Sequence, residues 1–218
     1  MPDNKSFEIK QILYAFFFPV IFVFTLWVVW ILGKGFDVDW YWFRFGIVPR
    51  TWGGLPGILF SPFIHSDAGH LYSNSVPLLV LCWCLVYFYK DLGYLVLPFL
   101  WILSGTFTWL IGRDSCHIGA SGLIYALSSF LFFSGILRKY IPLMAVSLVV
   151  VFLYGSTIWS MFPVTEIINP VISWEAHLSG AFSGIVCAVV FRHDGPKAPE
   201  PEEEEEEEDA TVTYEQES

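Results

Sequence analysis

A serine between two glycines is the residue best placed for chemistry in this sequence. Ser121 follows Gly119 and Ala120, precedes Gly122, and opens a long apolar segment. Glycines let a backbone approach another group closely, and the first turn of a helix offers unpaired N–H groups to a developing anion. These features suit a nucleophile, although small residues at the end of a membrane helix also simply permit close packing of helices.

The histidines supply a partner for this serine. His177 lies one turn inside another apolar segment, and a histidine can accept a serine proton near neutral pH. Ser121 could therefore act as a nucleophile with His177 as its general base. His70 opens a third apolar segment, and Asn74 follows it on the same helix face, so both could bind an oxyanion beside the Ser121 N–H. Since no intramembrane Asp or Glu is free to complete a triad, the sequence predicts a Ser–His dyad.

Six apolar segments must position these residues. The predicted spans are residues 11–33, 70–89, 92–111, 120–137, 141–158 and 174–191, and about 20 residues are needed to cross a bilayer. Because consecutive spans alternate in direction, spans two, four and six begin at one membrane face and bring His70, Ser121 and His177 to the same level. Residues 34–68, rich in Trp and broken by Pro and Gly, are expected to form a first loop at the membrane interface.

Small residues on spans four and six predict a close approach of these two helices. Gly180 and Gly184 follow His177 by three and seven residues and share its side of the helix. With Gly122 on span four, they would let the two backbones approach closely, whereas a seam of leucines would hold the serine and the imidazole apart. Tyr125 lies one turn into span four, where its ring could brace the histidine.

Composition predicts a membrane domain followed by a solvated tail. Charged residues make up only 15% of the 218 residues, against about 25% in soluble domains. Eleven of the 21 acidic residues lie in residues 199–218, so the net charge of −10 belongs to a tail. We expect a cytoplasmic N-terminus of residues 1–10, a six-helix membrane domain of residues 11–193, and a disordered acidic cytoplasmic tail of residues 194–218. Basic residues beside the inner turns place both termini in the cytoplasm.

Taken together, the motifs resemble those of the rhomboid intramembrane serine proteases. They are His65-x4-His70-x3-Asn74, Gly119-Ala120-Ser121-Gly122 with Tyr125, and Ala176-His177-x2-Gly180-x3-Gly184, in order on spans two, four and six. The resemblance covers about residues 55–192. It implies an all-α membrane protein, a six-transmembrane-helix rhomboid-like bundle with a membrane-interfacial first loop.

The resemblance also implies roles for the matching residues. Ser121 would be the nucleophile and His177 the general base. His70, Asn74 and the Ser121 N–H would line the oxyanion site, and Tyr125 would pack on His177. The implied substrates are transmembrane or membrane-anchored proteins, cleaved near the outer membrane face. Span five and the connection of residues 159–173 would gate and cap the site.

Two other classes of function fit the sequence less well. A catalytically silent rhomboid-like binder of transmembrane helices would typically lack the serine or the histidine, and this chain keeps both. A metalloenzyme using His65, His70 and His177 is disfavoured, because this sequence lacks a His-Glu-x-x-His helix and an acidic ligand pair. We therefore predict a serine endopeptidase with no cofactor, metal or nucleic-acid partner, by analogy in a bacterial plasma membrane. His117 is expected to make local structural hydrogen bonds.

Overall fold

A computed structural model of the protein describes residues 4–153, 159–164, 167 and 172–196. The described residues form eight α-helices: α1 Asn4–Gly35, α2 Asp39–Trp42, α3 Gly57–Phe60, α4 Ala68–Tyr89, α5 Asp91–Ile111, α6 Ser121–Arg138, α7 Ile141–Leu153 and α8 Trp174–Val190. Extended pairing in this part of the chain is limited to one antiparallel bridge between Ile47 and His117. The predicted all-α fold is confirmed.

Among the described residues, four helices are long and apolar enough to cross a membrane, namely Ile9–Gly35 within α1 and the whole of α4, α5 and α6. α8 is apolar but has 17 residues. The last residues of predicted span five, 154–158, lie outside the described residues, as do part of the 159–173 connection and residues 197–218 of the predicted tail. The membrane fold is confirmed, and the count of six spans stays a prediction.

Local sequence signals set the starts of the helices that carry the predicted site. The Asp67 side chain accepts a hydrogen bond from the His70 N–H at 2.8 Å and so caps α4. Ser173 caps α8 in the same way, through the Ala176 N–H at 3.3 Å. Before α6, Gly119 has a φ of +100°, a conformation that favours glycine and turns the chain into the helix.

α6 lies at the centre of the bundle and packs against α4, α5, α7 and α8. Its fully buried side chains include Leu127, Phe130 and Leu131, which belong to one core cluster with leucines of α4 such as Leu78 and Leu81. The most extensive pairing is between α6 and α8. Helix pairs in membranes associate through close packing rather than water exclusion, and the glycines of α8 permit it here.

The first loop is packed onto α5 and the α5–α6 connection. The Trp101 indole donates to the Ile58 carbonyl oxygen at 3.1 Å. The Arg50 guanidinium donates to the Gly112 carbonyl oxygen at 2.6 Å and pairs with the Asp114 carboxylate at 2.5 Å. These contacts fix the residues between α1 and α4 beside the segment that leads into Ser121.

Candidate active site

Ser121 and His177 meet at the N-terminal ends of α6 and α8. The distance from Ser121 Oγ to His177 Nε2 is 2.9 Å. The other ring nitrogen, His177 Nδ1, lies 2.9 Å from the backbone carbonyl oxygen of Ser160. A carbonyl oxygen only accepts, so Nδ1 carries the hydrogen and Nε2 is left to accept from the serine hydroxyl. The imidazole is thus held in the tautomer that a general base requires.

Tyr125 holds the face of the His177 ring. The two rings are stacked, with centroids 4.3 Å apart and planes inclined by 21°. The Tyr125 hydroxyl hydrogen-bonds to the side-chain hydroxyl of Ser160, whose carbonyl oxygen orients the imidazole. His177 is 8% exposed. The imidazole is therefore fixed by a stacking ring, a backbone acceptor and the serine hydroxyl together.

Glycines bring the two helices close enough for this contact. A Cβ atom built on Gly180 would overlap the Gly122 carbonyl oxygen and lie 3.1 Å from the Cβ atom of Tyr125. A Cβ atom on Gly184 would lie 2.6 Å from the backbone nitrogen of Phe130. Real Cβ contacts are longer than these, so both positions on α8 admit only glycine at this helix separation.

His70 and Asn74 both reach the backbone of Gly119, two residues before Ser121. A Cβ atom built on Gly119 would lie 2.7 Å from His70 Nε2 and 3.7 Å from Asn74 Nδ2. The Asn74 amide nitrogen is buried and has no hydrogen-bond partner among the described residues. Ser121 is the first residue of α6, where a helical N–H has no carbonyl one turn earlier. Hydrogen-bond donors are therefore available beside the Ser121 hydroxyl.

The loop before α4 orients His70. The Ser66 hydroxyl lies 3.3 Å from His70 Nδ1 and donates to the Asp67 carboxylate at 2.8 Å. The hydrogen bonds that Asp67 accepts from the His70 N–H and from Ser66 lower the pKa of its carboxyl group, so it is ionised at neutral pH. With Nδ1 turned toward Ser66, the Nε2 atom of His70 points to Gly119.

The two remaining loop histidines are buried and neutral. Burial lowers the pKa of His65 to about 3, and its ring lies edge-on to the His70 ring at 5.0 Å. Burial also lowers the pKa of His117. The His117 Nε2–H donates to the Arg113 carbonyl oxygen at 3.0 Å, and Nδ1 lies 2.5 Å from the Ser173 hydroxyl. Both nitrogens of His117 are thus engaged away from Ser121.

The profile of the Rhomboid domain matches residues 52–194, which include every residue of this constellation. The chain belongs to the rhomboid family. Uncharacterized proteins of Mycobacterium tuberculosis and Mycobacterium bovis are each 38% identical to it over 159 residues, which cover 70% of this chain and 66% of theirs. An uncharacterized protein of Mycobacterium leprae is 36% identical over 141 residues, covering 62% of this chain and 55% of its own. The matched part thus spans less than two thirds of these relatives.

Some residues that contact Ser121 and His177 or lie near them could not be identified from the sequence. Ser160 acts on His177 through a backbone carbonyl, which any residue type can supply. Glu175 could be singled out from the sequence, because an acidic residue inside an apolar segment is costly and usually functional. It is 2% exposed, and its Oε1 accepts from the Arg113 backbone N–H at 3.2 Å.

Within the described residues, no three His, Cys, Asp or Glu side chains are grouped closely enough to hold a metal ion.

Proposed function

We propose that this chain is an intramembrane serine endopeptidase that cleaves transmembrane or membrane-anchored proteins with a dyad of Ser121 and His177. The observation that carries the proposal is the 2.9 Å contact between Ser121 Oγ and His177 Nε2, with Nδ1 held by the Ser160 carbonyl oxygen. Membership of the rhomboid family supports it, since these proteins are generally intramembrane serine proteases.

The proposed first step forms an acyl-enzyme. Ser121 Oγ attacks the scissile carbonyl carbon while its proton passes to His177 Nε2, and the carbonyl electron pair moves onto oxygen. The imidazolium then gives this proton to the leaving amine as the C–N bond breaks. The Ser160 carbonyl accepts the Nδ1–H throughout, so the ring needs no reorientation between accepting and donating.

Donors near Gly119 would stabilise the tetrahedral oxyanion. The Asn74 amide is buried beside this backbone and the Ser121 N–H opens α6, so both are in place before substrate binds. Because the Ser66 hydroxyl donates to Asp67, it accepts from Nδ1–H of His70, so His70 would be a third donor only as an imidazolium, whose Nε2 also carries a hydrogen. One preorganised donor of this kind typically contributes about 10²–10³-fold to kcat.

Hydrolysis of the acyl-enzyme repeats the same proton transfers with water. A water molecule gives its proton to His177 Nε2 as its oxygen adds to the ester carbonyl, and Ser121 Oγ leaves with the proton returned. The step requires water at the N-terminal ends of α4, α6 and α8, which lipid would otherwise exclude. The loops that lead into α4 and α6 carry polar residues that could admit water, among them Ser66, Asp67 and Ser115.

The orientation follows from the opposite ends of the same helices. Lys90 follows α4, Arg138 ends α6, and Arg192 follows α8. Basic residues at short turns favour the cytoplasmic side, so both termini would be cytoplasmic and the dyad would open to the outside. The mycobacterial relatives support a bacterial plasma membrane.

The test is cleavage of a single-span reporter protein in liposomes. We expect cleavage by the parent, loss in both Ser121→Ala and His177→Ala, and no effect of a metal chelator. Cleavage that survives Ser121→Ala would contradict the assigned nucleophile. A fluorophosphonate probe covers the case of an unsuitable reporter: labelling of the parent and not of Ser121→Ala supports the proposal, whereas an unlabelled parent favours a silent binder of transmembrane helices.

A further inference from the structure

A cluster of polar contacts joins the α5–α6 loop to the start of α8. We call it the loop–helix clamp; it consists of Arg113, His117, Ser173 and Glu175. The His117 Nε2–H donates to the Arg113 carbonyl oxygen, so the Ser173 hydroxyl donates to Nδ1 at 2.5 Å. Ser173 Oγ also accepts from the Ala176 N–H. One hydroxyl therefore caps α8 and ties it to the loop.

The second half of the clamp is charged. Glu175 Oε1 accepts from the Arg113 backbone N–H at 3.2 Å and lies 3.7 Å from Arg113 Nη1. The guanidinium also donates to the Ile172 carbonyl oxygen at 3.0 Å. Glu175 is 2% exposed, and a carboxylate is costly to bury unless it is paired and hydrogen-bonded. The pair thus fixes the Arg113 end of the loop against the residues that open α8.

The two hydrogen-bonded residues of the clamp lie at the same distance along the chain from the two members of the dyad. His117 precedes Ser121 by four residues, and Ser173 precedes His177 by four residues. We infer that the clamp positions His177 against Ser121, so its residues are positioning residues for the reaction. The inference rests on the proposed function.

The contact between α6 and the glycines of α8, which we call the glycine seam, explains why a clamp is needed. Gly180 and Gly184 allow α8 to approach α6, but glycines have no side chains that interlock and so resist rotation or sliding weakly. At its C-terminal end α8 is held by Arg138, which donates to the Phe191 carbonyl oxygen at 2.5 Å. The clamp is the corresponding attachment at the end that carries His177.

Two pairs of variants separate positioning from simple stabilisation. Ser173→Ala removes the hydroxyl, whereas Ser173→Thr keeps it. Glu175→Leu removes the carboxylate, whereas Glu175→Gln keeps an oxygen that can accept from the Arg113 N–H. In detergent, the end point of fluorophosphonate labelling counts intact sites, and the rate constant reports the reactivity of Ser121 in each intact site.

We expect the removing variants to label to the parent's end point but about 10–100-fold more slowly, because a 1 Å misplacement of a reacting group costs about 100-fold. The conservative variants should stay within about threefold of the parent, since the same hydrogen bonds can form. In the reporter assay, the removing variants should have a lower kcat and an unchanged KM.

Arg138→Gln is the matched control. It weakens the other end of α8, 14 residues from His177 along the helix, or about 21 Å at 1.5 Å per residue. It should lower the melting temperature and leave the labelling rate constant unchanged. If the clamp variants behave like Arg138→Gln, the clamp is only structural and the inference is overturned.

Failure of the proposed function gives a different result. In that case the parent itself is not labelled and does not cleave the reporter. If instead the parent is labelled and the clamp variants are labelled with the same rate constant, only the inference about the clamp is overturned. If Glu175→Leu does not fold, Ser173→Ala against Ser173→Thr decides the question on the same two readouts.

Discussion

One added methyl group at Gly180 would test whether the seam between α6 and α8 delivers His177 to Ser121. A Cβ atom there would overlap the Gly122 carbonyl oxygen and lie 3.0 Å from its carbonyl carbon and 3.1 Å from Tyr125 Cβ. These atoms belong to backbone and to the root of a side chain, so no change of rotamer removes the overlap. In Gly180→Ala, α8 must therefore move away from α6.

The size of the effect follows from these distances. Carbon atoms are in favourable contact at about 3.5–4.0 Å, and the Gly122 carbonyl oxygen overlaps more closely than the carbons do, so the helices must separate by at least about 0.5–1 Å. The contact of 2.9 Å between Ser121 Oγ and His177 Nε2 would then exceed hydrogen-bond length. We expect kcat and the labelling rate constant to fall by about 10–100-fold. Overpacking should also lower the free energy of unfolding by about 1–3 kcal/mol.

Two other glycines provide controls for the assay. Nothing lies within 4 Å of a Cβ atom built on Gly53, so Gly53→Ala should match the parent. A Cβ atom on Gly122 would lie 3.1 Å from Ser104 Oγ and 3.3 Å from the Ala176 carbonyl oxygen, so Gly122→Ala should have an intermediate effect. Fluorophosphonate labelling and thermal melting measure all three. A parental rate constant in Gly180→Ala would refute the reasoning, because the dyad distance would then not depend on the seam.

Two further predictions concern residues around the dyad. Asn74→Ala should lower kcat by about 10²–10³-fold with little change in the labelled fraction, since it removes one oxyanion donor; an unchanged kcat in the reporter assay would exclude that role. Burial lowers the pKa of His65 to about 3 from an ordinary value near 6.5, so below pH 6.5 the unfolded chain takes up a proton that the folded protein does not. Stability should therefore fall with acid, by about 2–3 kcal/mol between pH 6.5 and 4.5. Thermal melting should show a weaker acid dependence in His65→Phe, and an equal dependence would assign the effect to another group.

The helices could be predicted because their signals are local. Predicted spans beginning at residues 70, 120 and 174 compare with α4, α6 and α8, which begin at Ala68, Ser121 and Trp174. The capping residues Asp67 and Ser173 before apolar runs determine the starts of α4 and α8, and Gly119 turns the chain into α6. The first loop was less predictable: its short helical turns around Gly57–Phe60 depend on contacts such as Trp101 to Ile58, which no local pattern encodes.

The pairing of Ser121 with His177 could be predicted for a different reason. Where consecutive spans alternate in direction, a histidine one turn into the predicted sixth span is expected to lie level with a serine that opens the predicted fourth. The orientation of the imidazole could not be predicted, because Ser160 supplies a backbone oxygen and the hydroxyl of Tyr125 reaches the same residue from α6. Such contacts depend on the path of a connection and not on residue type.

Glu175, the buried acid near the dyad in the described part of the chain, does not contact the imidazole of His177. A carboxylate against His177 would hold the imidazole in the same tautomer as the Ser160 carbonyl does, but it would bring an ion into an apolar bundle. Glu175 is only two residues from His177, yet its carboxylate pairs with Arg113 in the loop. There the charge is balanced and helps to attach α8. In the proposed mechanism a neutral acceptor orients the base, and in the proposed clamp the ion pair positions the helix that carries it.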